Sequence, residues 1–258
     1  MKKHKIVTLV DVCMNYQTLE GETPALKNIN MEVEQGEFIG IVGPSGCGKT
    51  TILSMIAGLI KPCSGQVLVQ GKKVEGPSPK VGYMLQQDYL FEWRTIFQNV
   101  MLGLEVLGKD NEVNKQKVNR LLDTYGLTEF KKYYPQQLSG GMRQRVALIR
   151  TLAIDPKILL LDEPFSALDY QTRLALSDEV AEIIRRENKT ALLVTHDISE
   201  AISMSNRVLV LSKRPGVIKS NHQIKLTGED RNPVSLRKAP EFREYFNTIW
   251  EELDVHVS

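Results

Sequence analysis

Short apolar runs parted by polar or glycine residues fill the first 45 positions. KIVTLVDV, ALKNINMEV and EFIGIVG are rich in valine and isoleucine and predict three strands. A glycine-rich stretch then leads into an apolar helix, GPSGCGKTTILSMIAGLI, which KPCSG terminates. GQVLVQG and VGYML predict two further strands. From about Ile96 to Ile154 the spacing becomes helical, in IFQNVMLGLEVLG, NKQKVNRLLDTYG and GMRQRVALIRTLAID, and strand patterning vanishes. It returns at KILLLDE, TALLVTHD and RVLVLS, with TRLALSDEVAEIIRRE as a helix between the first two. APEFREYFNTIWEEL predicts one amphipathic helix near the end. Strands alternating with helices predict an α/β fold with parallel strands at the centre of its sheet. The all-helical block reads as a subdomain inserted at about residues 88–156 of a single domain, 1–258, with a helical tail at about 238–254. No internal repeat or low-complexity segment interrupts this order.

Composition narrows the partners. The 258 residues are 42% hydrophobic and 25% charged, and 33 basic against 31 acidic residues leave a net charge of +2. That balance gives no electrostatic case for nucleic acid or for an anionic membrane surface. Lys2, Lys3 and Lys5 read as a solvated terminus. No apolar run approaches the ~18 residues that would span a bilayer, and IVTL is too short for a signal-peptide core, so the expected place is the cytosol. The three cysteines, Cys13, Cys47 and Cys63, have no disulfide or zinc spacing. His4, His196, His222 and His256 are scattered too, so any metal should be hard and held by oxygen.

GPSGCGKT, Gly43 to Thr50, fits the phosphate-cradling pattern G-x-x-x-x-G-K-[ST] between a predicted strand and a predicted helix. Its glycines let backbone N–H groups curl around a phosphate chain. Lys49 would reach the β- and γ-phosphates, and the Thr50 hydroxyl would ligate Mg²⁺. The candidate nucleotide-binding run is therefore Gly43, Pro44, Ser45, Gly46, Cys47, Gly48, Lys49, Thr50 and Thr51. Cys47 is either a thiol open to alkylation and shielded by nucleotide, or a buried, inert one. In KILLLDEP, Asp162 and Glu163 stand at the carboxyl end of a buried strand, where open α/β sheets place their ligands. Asp162 would hold Mg²⁺ through water, and Glu163 would act as general base on the attacking water. The two segments together predict a Mg²⁺-dependent nucleoside triphosphate hydrolase.

PQQLSGGMRQR, Pro135 to Arg145, sets a puzzle. Ser139 and two glycines start a helix whose bare N–H groups suit an anion, yet no lysine is within reach and no acid lies nearby. Two such helix starts would compete for one nucleotide, unless this one meets the γ-phosphate held by a second copy. LSGGM with RQR, between a phosphate loop and LLLDEP, resembles the signature of the ATP-binding-cassette ATPases over nearly the whole chain. The resemblance implies a P-loop fold of that type, with an N-terminal antiparallel β part, a mixed central sheet and an inserted helical subdomain. It implies that Tyr16 stacks on the adenine of ATP and that Gln86 links the Mg²⁺ site to the helical subdomain, with Gln87 beside it leaving the register open by one. His196 would contact the γ-phosphate. SALD, Ser166 to Asp169, would cross between two nucleotide sites, with Asp169 among the residues that bind ATP. Head-to-tail dimerisation would bring Ser139, Gly140 and Gly141 onto the partner's ATP.

Transport follows from the same resemblance. DYLFEWRTIFQNVMLGLE and the two glutamines before it, residues 86–105, would dock on integral-membrane permease subunits, with Phe91 and Trp93 forming an apolar groove rimmed by Glu92 and Arg94. The alternative is that Trp93 packs inside the subdomain. WRT followed by NV and GLE, and RKAPEFREYFNTIW, are similar to the branch that imports nitrate, sulfonates and taurine, or thiamine-precursor pyrimidines. Glu92 departs from that branch, which has proline before the tryptophan. The branch implies an extracytoplasmic substrate-binding protein, a seat on the cytoplasmic face of the cell membrane, and no nucleic acid. The chain runs about 45 residues past RVLVLS, short of the regulatory domain of sugar-importer relatives. An exporter subunit, or a soluble cassette protein acting on ribosomes or DNA, is the alternative task.

Overall fold

The structure is a computed structural model that describes residues 4–18, 21–166, 168–227 and 233–253. Lys2, Lys3, Ala167 of SALD, the last tail residue Asp254 and His256 lie outside them. The chain opens with β1 (Lys5–Thr18), β2 (Gly21–Glu34) and β3 (Phe38–Val42), then α1 (Lys49–Ile56), β4 (Ser64–Val69) and β5 (Lys72–Lys73). β6 (Val81–Met84), α2 (Ile96–Val106), α3 (Glu112–Thr124), α4 (Gly140–Ala153) and β7 (Ile158–Asp162) follow. The remainder comprises α5 (Tyr170–Arg186), β8 (Thr190–Val194), α6 (Ile198–Met204), β9 (Arg207–Leu211), β10 (Ile218–Gln223), α7 (Pro233–Leu236) and α8 (Pro240–Glu252). Two compact units form, one from Met1–Ser78 with Leu174–Ser258 and one from Pro79–Arg173, the division falling inside α5.

The first unit holds two sheets. β2, β1, β4 and β5 pair in that order, all antiparallel. β3 lies between β8 and β9, parallel to both, and β10 adds antiparallel to β9, so this sheet is mixed. Every residue of β3, β8 and β9 is buried, which explains why they are apolar apart from Thr190 and Arg207 at the starts of β8 and β9, Arg207 being paired with Glu37 at 2.8 Å. Each fully buried isoleucine, valine or leucine there contributes about 1.5–3 kcal/mol. Val42, Val208 and Val210 of the sheet meet Ile198, Ala201 and Ile202 of α6 and Ile249 of α8 in one core. The tail helix is thus anchored through its apolar stripe. β10, IKSNHQ, alternates between half-buried and exposed residues and was not read as a strand from sequence. Its asparagine, histidine and glutamine disfavour strands, and pairing with β9 overrides that preference.

The second unit pairs β6 with β7 in parallel and packs α2 and α3 against α4. Side-chain caps set the helix starts. Thr95 accepts from Gln98 N while the Gln98 side chain accepts from Thr95 N, a capping box at α2. Asn111 caps α3 and Ser139 caps α4. Among the described residues, no helix is long and apolar enough to cross a membrane.

Candidate active site

In the first unit, the loop from Gly43 to Gly48 connects buried β3 to α1. Gly46 (φ 74°) and Gly48 (φ 101°) take the left-handed backbone that turns successive N–H groups inward, a conformation costly for other residues. Gly48 caps α1 with no side-chain hydrogen bond. Lys49 is only 8% exposed and folds back over the loop, donating to Gly43 O at 2.8 Å and Pro44 O at 3.0 Å. The ammonium is thereby held against the loop's own carbonyls. Ser45 and Thr50 are exposed and Pro44 is half-buried. The Tyr16 hydroxyl shares a 3.0 Å hydrogen bond with Thr51 Oγ1, fixing the exposed ring beside the start of α1.

Cys47 is 1% exposed. Burial pushes its thiol pKa up, against the opposing pull of Lys49. Of the two readings of this cysteine, the buried, inert one fits. His196 is exposed in the turn between β8 and α6. Thr195 Oγ1 donates to Glu200 at 2.7 Å, and Asp197 caps α6 by accepting from Ser199 N and Glu200 N, so both flanks of the histidine are held.

In the second unit, Asp162 ends β7 at 4% exposure and accepts from the Tyr83 hydroxyl at 3.2 Å. Glu163 follows with a left-handed φ of 46°, and its carbonyl accepts from both Ser166 N and Ser166 Oγ. Backbone strain of this kind, about 1–3 kcal/mol, persists where the surroundings over-determine it. Gln86 and Gln87 are both exposed, and it is Gln86 whose Nε2 donates to Glu163 Oε2, at 3.0 Å. The geometry thereby distinguishes the two glutamines that the sequence left open.

Ser139 accepts from Met142 N at 3.3 Å, leaving the first turn of α4 open to a cleft of about 440 Å³. Gly140, Gly141, Arg145, Leu168, Asp169 and Thr172 complete its wall. A Cβ on Gly141 would stand 3.3 Å from Leu168, so glycine keeps the wall close. The motif alone placed no acid beside Ser139; the resemblance put Asp169 on the same nucleotide, and the fold brings the two into one cleft. Thr172 N, at 3.0 Å, holds the exposed Asp169 carboxyl below the usual carboxylate range.

Sequence reasoning missed the residues that brace the segment after Gln86. Arg150 of α4 donates to Asp88 O at 2.6 Å and Tyr89 O at 2.8 Å, and Arg143 Nε reaches Asp88 Oδ2 at 3.1 Å. Asn99 is fully buried, accepting from Phe91 N and donating to the carbonyls of Phe91, Arg94 and Thr95. A lone asparagine or arginine in a helical pattern carries no such signal. Trp93 is 74% exposed and stacks on Phe91 at 4.8 Å between ring centroids, which overturns packing inside the subdomain. Arg94 pairs with Glu105 at 2.6 Å beside them.

Among the described residues, no three His, Cys, Asp or Glu side chains gather as a metal cluster. Within the second unit, Asp162 and Gln86 offer hard oxygen donors, few in number. Such a set fits Mg²⁺, which keeps several waters and takes one or two protein ligands beside phosphate oxygens.

The model of the ABC transporter family matches residues 26–166. An uncharacterized ABC transporter ATP-binding protein of Bacillus subtilis, YtlC, is 48% identical over 94% of both chains. The nitrate import ATP-binding protein NrtD of Synechocystis sp. is 44% identical over 89% of this chain and 88% of its own. Among solved structures, the dimeric ATP-binding cassette MJ0796, in a post-hydrolysis state bound to ADP and Pi, superposes with a TM-score of 0.76. It is 32% identical, covering 85% of this chain and 99% of that one.

Proposed function

The chain belongs to the ABC transporter family as an ATP-binding, ATP-hydrolysing subunit, and we propose that it powers uptake of a small solute of the nitrate, sulfonate or taurine kind. The backbone N–H groups of Gly46 to Thr50 hold the phosphate chain, and Lys49 exchanges its two loop carbonyls for phosphate oxygens. Tyr16 stacks on the adenine. Thr50, Asp162 and Gln86 are the residues that would hold Mg²⁺, which when bound neutralises charge on the phosphates. Glu163 takes the proton of the attacking water, its carboxylate oriented by the Gln86 amide. His196 contacts the γ-phosphate.

A second copy packs head to tail, and its Ser139, Gly140 and Gly141 meet the γ-phosphate from the open cleft. A helix N-terminus contributes about 0.3–2 kcal/mol toward an anion, so closure is favoured while the γ-phosphate is present and relaxes once it leaves. Arg145 and Asp169 both line that cleft, so it carries no excess positive charge that would draw in stray anions.

The exposed Phe91–Trp93 stack carries the transport reading. A tryptophan held in water by a buried asparagine and two arginines is a prepared anchor for a partner helix, with Arg94 and Glu105 as a polar rim. The partners are permease subunits at the cytoplasmic face of the cell membrane, with an extracytoplasmic binding protein choosing the solute. The test is a pull-down of tagged Glu163→Gln from solubilised membranes with ATP and Mg²⁺. A multi-span membrane protein that is captured, and lost with Trp93→Ala, supports the reading. Capture of only ribosomal or DNA-bound partners would remove the transport task.

A further inference from the structure

The turn between β9 and β10, SKRPGV, lies in the first unit directly against the phosphate loop. Leu211, the last residue of β9, stands 3.0 Å from where a Cβ on Gly43 would be, at the loop's start. Farther along, a Cβ on Gly216 would lie 2.1 Å from the carbonyl oxygen of Cys47, in the loop's middle. Gly216 does not take a left-handed backbone, so space alone accounts for its missing side chain. Leu26 of β2 is wedged between the two segments, since its Cδ2 would meet a Cβ on Gly48 at 2.4 Å and one on Gly216 at 3.2 Å.

The turn is itself tied down. Gly216 N donates to Ala25 O at 2.9 Å and Gly216 O accepts from Lys27 N at 3.0 Å, which stitches the turn to β2. Arg214 Nε donates to Pro24 O at 3.1 Å. Ser212 closes it from within, accepting from Val217 N at 3.1 Å and donating to Lys213 O at 2.8 Å. A segment bonded to β2 on one side and pressed on a backbone carbonyl on the other sets where that carbonyl lies.

We propose that residues 212–217 are a buttress that fixes the position of the phosphate loop, with Gly216 as a positioning residue for nucleotide binding. The nucleotide part rests on the reading of that loop as the ATP site. A side chain at 216 must displace the Cys47 carbonyl, 2.1 Å from the added Cβ, by roughly 1.3 Å or more to reach ordinary contact distance. Displacements of that size at a positioned site cost about 10²-fold when they reach the reacting geometry.

The experiment uses the chain with Cys13→Ser and Cys63→Ser, which leaves Cys47 as its one thiol. The rate of N-ethylmaleimide labelling reports the position of the loop, and titration with a fluorescent ATP analogue reports affinity. Gly216→Ala is expected to raise labelling about tenfold or more and weaken the analogue about tenfold. Gly76→Ala, where a Cβ meets nothing within 4 Å, should leave both within about twofold. Ser212→Ala loosens the turn without adding bulk and should raise labelling about threefold, which covers the case in which Gly216→Ala fails to fold. Labelling unchanged in both folded variants overturns the buttress, as does weakened affinity with labelling unchanged. Faster labelling with unchanged affinity supports the buttress and removes the nucleotide reading of the loop.

Discussion

The starts of α1 and α4 are built from the same residue types, glycines beside a small hydroxyl, yet they differ in every physical respect that matters to an anion. At α1 the cap is Gly48 in the left-handed region, no side chain competes for the first N–H groups, and Lys49 supplies a positive charge already folded over the loop. At α4 the cap is Ser139, its hydroxyl is engaged by Met142 N, and the opposite wall carries the negative Asp169. We read the first as a complete phosphate site. The other has donors for an anion, but the charges of Arg145 and Asp169 offset one another in its wall and no lysine is folded over it. A half-site of that kind gains from an anion only when something else delivers it, the property required of a surface that closes on a partner's bound nucleotide.

The most severe way to break this comparison is to remove what makes α1 complete. Lys49→Ala should lower ATP turnover about 10³-fold or more, the scale of losing a charged donor to the reacting phosphate. Near-normal turnover at saturating ATP would remove the phosphate loop from the site. Glu163→Gln should bind ATP and hydrolyse it ~10²–10⁴-fold more slowly. It should also accumulate as an ATP-bound dimer by size-exclusion chromatography with light scattering. A monomer at every ATP concentration would mean that the half-site at α4 does not close on its own chain's partner copy.

Ser139→Arg separates the two regions more finely. The added guanidinium fills the cleft and pairs with Asp169, so ATP-driven dimerisation and turnover should fall about 10²-fold while ATP affinity of the monomer stays within about twofold. Equal loss of monomer affinity would place α4 on its own chain's nucleotide and erase the distinction.

How far the sequence revealed each region also differs. The phosphate loop was legible because its chemistry is local. Gly43 to Thr50 carry the glycines, the lysine and the hydroxyl within one turn, between a strand and a helix recognisable by period. Asp162 and Glu163 could be read for the same reason, as carboxylates after an apolar run. The α4 cleft was half legible, because Asp169 is 30 residues from Ser139 and only folding brings it there. The braces on the docking segment were not legible at all. Arg150 and Asn99 act through backbone carbonyls far along the chain, and a carbonyl leaves no mark in a sequence. The same holds for Gly216, whose neighbour is the Cys47 carbonyl.

The smallest expected effect is the sharpest probe of the contrast. Ser139→Ala removes a cap and should cost about 0.5–2 kcal/mol in local stability. With the chain divided into two units, a single melting temperature is a poor measure, and amide hydrogen exchange in the first turn of α4 is the appropriate one. Exchange there should quicken about 2–30-fold with ATP affinity of the monomer unchanged, since one 1.4 kcal/mol step is about a factor of ten. ATP-driven dimerisation should weaken only slightly, because the anion would be met chiefly by the N–H groups of Gly140 and Gly141, which the substitution keeps. Loss of dimerisation with exchange unchanged would instead assign the hydroxyl itself to the partner's phosphate. α1 offers no matching experiment, because its cap is a glycine with nothing to remove, and that asymmetry is why its N–H groups are available to nucleotide from the start.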